Sequence, residues 1–83
     1  MSETRQVVMR FLLDMCPNDQ LRAGLTEHTE LMQAGILDSF GVVRLIQFVE
    51  EQFDIRIPDS DIGPGIFASG AAISDYVEQT RVV

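Results

Sequence analysis

Apolar residues recur with a helical period in three stretches of the chain. Between Glu3 and Met15, Val8, Phe11, Leu12 and Met15 fall at i, i+3, i+4 and i+7, one stripe of an amphipathic helix. Pro17 and Asn18 end that helix, because proline lacks the N–H that the backbone ladder needs. A second helix is predicted from Asp38, whose carboxylate can accept N–H groups of the first turn, through Phe53. At about 100° per residue, Val42, Leu45, Ile46, Val49 and Phe53 form its buried stripe, and Arg44, Gln47 and Glu51 face outward. Phe40 and Val43 fall toward the same outer face, and apolar side chains rimmed by polar ones are what a docking surface needs. Ser69 is placed to cap a last helix whose Ile73, Tyr76 and Val77 face inward.

The segments between these helices carry other signals. Residues 19–37 lack a sustained period and contain Gly24 and Gly35, which predicts a long connecting loop pinned by Leu25, Leu31, Met32 and Ile36. A loop of that length in a small domain is usually functional or disordered. Ile55, Ile57 and Pro58 form a short extended stretch with no partner strand in the sequence, which predicts a loop that plugs the core. Gly63-Pro64 can open a very short helix with proline at its first position, carrying Ile66 and Phe67 inward. The expected fold is all-α: one domain over residues 1–83, a small four-helix bundle of three main helices and one short one, with a long loop between the first and second.

Composition narrows the function. A chain of 83 residues can build one small core and no second lobe to enclose a cleft. Apolar residues make up 46% and aromatic ones 7%, with no Trp, so the core is expected to be aliphatic. Six Lys and Arg against thirteen Asp and Glu give a net charge of -7. That charge disfavours nucleic acid and anionic membranes and favours partners that present Arg or Lys. Residues 1–4 contain no apolar signal core, and no stretch approaches the ~20 apolar residues that span a bilayer. The expectation is a soluble cytoplasmic monomer with no membrane insertion. Cys16 is the only cysteine, which excludes an internal disulfide and a thiol pair for redox or zinc chemistry, and no metal is expected. A catalytic thiolate needs a base beside it, and the single histidine, His28, lies in a polar stretch. Cys16 is read as a half-buried helix-end residue and His28 as a solvated loop residue.

The segment Gly35-Ile36-Leu37-Asp38-Ser39-Phe40 closes the long loop and puts a serine at the start of an amphipathic helix. Serine in that place is commonly a cap with no further role, but Asp38 already fills the cap and leaves Ser39 open to modification. Ser39 is not in a Gly-x-Ser-x-Gly elbow and has no recognisable His and Asp to activate it, so no catalytic residue is assigned. With Leu31 four residues before Gly35 and the helix that follows, the segment resembles the Asp-Ser-Leu attachment site of acyl and peptidyl carrier proteins. The similarity extends through Ile55-Arg56-Ile57-Pro58-Asp59 to Phe67-Ala68-Ser69 and Ile73, covering about residues 25 to 78. The resemblance implies a carrier-protein bundle on which a phosphopantetheinyl transferase places 4'-phosphopantetheine from coenzyme A at the Ser39 hydroxyl. The terminal thiol of that arm then carries an acyl group as a thioester. It also implies that Asp38 helps to present the serine to the transferase.

Carriers that resemble those of fatty-acid synthesis place acidic residues two and five positions after the serine, whereas this chain has Gly41 and Arg44 there. Phe40 replaces the usual leucine, and Gly63-Pro64-Gly65 shortens the third helix. The glycine two positions after the serine and the weak acidity of the first turn look more like discrete carriers that work beside an adenylate-forming ligase, D-alanyl carrier proteins among them. The resulting expectation is an acyl or aminoacyl carrier loaded by an adenylate-forming acyl or aminoacyl ligase and unloaded by downstream acyl-transferring enzymes. Asp38, Phe40, Val43, Arg44 and Gln47 are expected to form the partner-reading face. A carrier for fatty-acid or polyketide synthesis is one alternative. A helical interaction domain that never receives an arm is another, and it must treat Asp38-Ser39 as coincidence.

Overall fold

Residues 3–63 and 65–81 are described by a computed structural model. They form α1 (Glu3–Met15), α2 (Asp19–Gly24), α3 (Ser39–Phe53), a single 3-10 turn (Asp59–Asp61) and α4 (Gly70–Arg81), with no strand among the described residues. The three amphipathic patterns thus become α1, α3 and α4. Val8 and Leu12 of α1, Leu45 and Val49 of α3, and Ile73 and Val77 of α4 meet in one core closed by Leu31, Leu37, Ile57 and Phe67. Phe11, Met15, Val42, Ile46, Phe53 and Tyr76 pack against it while remaining partly exposed. Where α1 approaches α4, a Cβ on Gly70 would collide with the Met9 sulfur and sit 3.4 Å from Leu12 Cδ1, so a larger residue there would require the Met9 side chain to move. Phe11 stacks on Phe48, ring centroids 4.0 Å apart and 14° from parallel, and so joins α1 to α3 outside the aliphatic core.

Two expectations for the connections need correction. Residues 19–24 are helical, not loop: the Asn18 side chain accepts the Leu21 N–H at 2.8 Å, so the residue expected only to end one helix also starts the next. Six residues are too few to display a period, and α2 buries none of them. The short helix expected at Gly63-Pro64 is also displaced. Pro64 lies outside the described residues, residues 65–67 form a turn, and the single helical turn falls earlier, directly after Pro58. Phe67 is nevertheless buried and Ile66 partly so. Tyr76 in α4 donates its hydroxyl hydrogen bond to Asp61 at 2.7 Å and fastens the 3-10 turn. Burial and that hydrogen bond push the Tyr76 phenol above its ordinary range.

The remaining loop is held at both ends. The Leu31 N–H donates to Ala68 O at 2.9 Å, and Leu31 O accepts from Ile36 and Leu37 at 3.0 and 3.2 Å. Ala71 N–H donates to Glu27 O at 2.8 Å, while the Arg5 guanidinium reaches both Glu27 and Asp75 at 3.2 Å, tying α1, the loop and α4 together. Leu31 and Ile36 are buried as expected, but Met32 is 51% exposed and does not pin the loop. The turn that sends Leu31 inward sends its neighbour out. Ile57 plugs the core, its N–H held by the Glu50 carboxylate at 2.8 Å.

Candidate functional site

The head of α3 is built from a turn and a cap. Gly35 adopts φ +79°, a left-handed conformation that favours glycine, and the chain then drops Ile36 and Leu37 into the core. Asp38 follows in extended conformation, and its carboxylate accepts the Gly41 N–H at 2.7 Å while its carbonyl accepts the Val42 N–H at 2.9 Å. Ser39 is therefore the first helical residue, exposed, with the capping role taken by its neighbour. Phe40 is 82% and Val43 52% exposed, and Arg44 and Gln47 are exposed beside them. All six residues singled out in the sequence thus lie on the solvent side of α3, from its cap at Asp38 to Gln47 two turns in.

Gly41 has a different part from the one its sequence position suggests. It is buried, and a Cβ there would lie 3.0 Å from Met15 Cε and 3.2 Å from Leu37 Cδ2. The second position after Ser39 faces the end of α1, so an acidic side chain at 41 would have to displace Met15. Arg44, by contrast, is free to vary, and lines a groove of about 240 Å³ with Asp38, Phe40, Met15 and Pro17.

On the other flank of the α3 head, Met32, Val42, Ile62, Gly63 and Phe67 enclose a pocket of about 220 Å³ that has no polar side chain in its wall. Met32 and Ile62, the latter 38% exposed, were not legible as site residues. Their only signal is a large apolar side chain left in water. A wider depression lined by Glu50, Glu51, Asp54, Ile55 and Arg56 lies at the C-terminal end of α3. Among the described residues no group of three or more His, Cys, Asp or Glu is placed to hold a metal ion.

Cys16 sits just past the end of α1 and is more buried than expected, 8% exposed, with its thiol against Leu12 O at 3.4 Å. Desolvation pushes its pKa up, and Arg22 offsets this only in part. A raised pKa leaves less thiolate at neutral pH, so alkylation of Cys16 by iodoacetamide is expected to be several-fold slower in the native chain than in urea. Equal rates measured by mass spectrometry would contradict the buried placement. The His28 side chain is 78% exposed and pairs with Glu27 at 3.3 Å.

No protein-family model matches the chain. Proteins named D-alanyl carrier protein do resemble it: those of Bacillus cereus and of Bacillus anthracis are each 32% identical over 81 residues, 98% of this chain and the whole of theirs.

Proposed function

This chain belongs to the acyl carrier protein family, among its D-alanyl-carrier-like members, and on that premise we propose that Ser39 receives a 4'-phosphopantetheine arm and that the protein carries an acyl or aminoacyl group on it. The observation that carries this reading is the exposed Ser39 hydroxyl at the first position of a 15-residue helix, behind a cap made by Asp38. The arm supplies a terminal thiol that holds the cargo as a thioester. What the chain itself contributes is local. Asp38 consumes the Gly41 N–H and fixes where the helix starts, and the positive end of the α3 dipole favours a phosphodiester at residue 39. The residues present fit such a group, because the serine is clear of the core and no acidic residue lies in the first turn of α3.

In this reading residues 1–83 act as a single carrier domain, cytoplasmic and monomeric, that serves three kinds of partner in turn. A phosphopantetheinyl transferase modifies Ser39, an adenylate-forming acyl or aminoacyl ligase loads the thiol, and downstream acyl-transferring enzymes remove the cargo. None of the described helices is long and apolar enough to cross a membrane. The name of the relatives makes D-alanine the first cargo to test. Intact mass after incubation with coenzyme A and a broad-specificity transferase tests the reading: the chain should gain one phosphopantetheine, and an unchanged mass refutes it.

The exposed face beside the arm, Phe40, Val43, Arg44 and Gln47, reads the ligase. Binding energy concentrates in a few aromatic or Arg anchors, so Phe40→Ala and Arg44→Glu should each lower kcat/KM for ligase loading by about 10-fold, or ~1.4 kcal/mol. The thermal midpoint and the extent of arm attachment should not change, because neither residue is buried. Loading rates of fully modified wild type and variants decide it. Unchanged rates in both would move recognition off this face.

A further inference from the structure

We propose that the ligase presents to α3 an apolar socket for Phe40, a carboxylate for Arg44 and, two helical turns further from Ser39, a basic group for Glu51; the inference rests on the reading of this face as the one that the ligase meets. Phe40, Arg44, Gln47 and Glu51 follow one another at i, i+4, i+7 and i+11, so they form a single ridge along the outer side of α3. All four are exposed, Phe40 to 82%. The charges on this ridge do not follow that of the whole chain. The net charge is -7, yet Arg44 is the one charged residue between Ser39 and Phe48, and the carboxylates of α3, those of Glu50 and Glu51, come only in its last turn. At 1.5 Å per residue, Arg44 and Glu51 stand roughly 10 Å apart along the axis.

At contact, the ridge outweighs the total. In about 0.1 M salt, exposed charges more than ~10 Å apart are largely screened, so the net charge steers encounter while the groups that touch decide the fit. A partner that covers Phe40 also covers Arg44, one turn away on the same ridge. Covering a guanidinium without a counter-charge is unfavourable, and its own chain supplies none. Among the described residues Arg44 forms no ion pair, and the carboxylate that lines the same groove, that of Asp38, has Oδ1 committed to the Gly41 N–H. The partner therefore brings the carboxylate, the group that the planar fork of arginine binds in two places at once. Glu51 calls for the opposite group. It lies in the wall of the depression with Glu50, Asp54 and Arg56, where carboxylates outnumber the guanidinium and Glu50 already holds the Ile57 N–H. A partner face with acid near the arm and base beyond it fits α3 in one direction only, since reversal sets like charges against each other. The ridge thereby fixes the direction from which the arm enters the ligase.

The test compares kcat/KM for loading of fully phosphopantetheinylated wild type, Arg44→Gln, Arg44→Glu, Glu51→Gln and Phe40→Ala. The probe is the fastest on wild type of a panel of adenylate-forming ligases, that for D-alanine first, each supplied with ATP and its own acid. Loading is expected to fall about 3-fold in Arg44→Gln, about 10-fold in Arg44→Glu and about 3-fold in Glu51→Gln. Thermal midpoints of these charge variants should match wild type, because neither residue is buried. The sign at position 44 is decisive: neutralising a cation and neutralising an anion on one ridge both slow loading only if each meets its own opposite charge. Faster loading of both Arg44 variants beside slower loading of Glu51→Gln means a partner that is basic along the whole ridge, as the net charge alone would have it, and overturns the proposal while the ligase reading stands. Charge variants that load at the wild-type rate beside a slow Phe40→Ala overturn it as well, leaving an apolar contact alone. A fall at Arg44 with none at Glu51 strikes the base from the partner face and with it the fixed direction. No loading of modified wild type by any ligase of the panel overturns the ligase reading and the proposal together.

Discussion

Ser39→Ala is expected to lose phosphopantetheine attachment completely while keeping the fold. The helix start does not depend on the serine side chain, because the Asp38 carboxylate holds the Gly41 N–H and the Leu37 side chain anchors the preceding turn in the core. Alanine is the best intrinsic helix former, and an exposed substitution that removes no capping side chain is usually within about 0.5 kcal/mol of neutral. The other described serines are poor substitutes. Ser69 Oγ accepts the Ala72 N–H at 3.2 Å, and Ser74 is fully buried, donating to Gly70 O at 2.8 Å. Ser60 is exposed but lies in a three-residue 3-10 turn, between Asp59 and Asp61. Mass spectrometry of wild type and variant after exhaustive treatment with transferase and coenzyme A gives the answer. A variant that still gains the arm would locate attachment elsewhere, with Ser60 the residue to examine.

The parts of this molecule that were legible in the sequence are those whose physics is local. The stripes of α1, α3 and α4 come from repeated apolar residues, the caps from Asp38 and Ser69 standing just before those stripes, and the exposed first position of Ser39 on α3 from its place behind a residue that already caps. What was not legible depends on contacts between distant segments. Gly41 reads as a missing acidic residue until Met15, at the end of another helix, is seen against it. Met32 reads as a core residue beside Leu31 until the backbone bonds from Leu31 to Ala68, Ile36 and Leu37 show which of the two turns inward. The apolar pocket draws on the loop, α3 and the segment after the 3-10 turn, so no contiguous stretch announces it. The helix α2 was missed because a single turn and a half, with only Leu21 packed against the core, carries no amphipathic period.

The same distinction sets the largest stability effect. A helical wheel gives Leu45 and Ile46 equal standing in the buried stripe of α3, but the bundle does not. Leu45 has no exposed surface and lies on one line with Val49, 1% exposed, whereas Ile46 is only partly buried at the edge of the stripe. Leu→Ala in a closed core loses the transferred methyl groups and leaves a cavity, at a cost of about 2–5 kcal/mol. Domains of this size bury the least surface and sit toward the low end of the roughly 5–15 kcal/mol typical of folded proteins. Leu45→Ala should therefore remove a large share of the stability and lower Tm by at least about 10 °C, since each kcal/mol moves a domain of this length by roughly 4–8 °C. Ile46→Ala should cost clearly less, because water already covers part of the side chain and the neighbours can relax into the space. Urea unfolding of both variants, followed by helical circular dichroism with m-values compared, measures the difference. Equal losses in the two variants would mean that the α3 stripe is centred between Leu45 and Ile46, and that the helix is rotated about its axis from the orientation that brings Val42 to the apolar pocket with Met32 and Ile62.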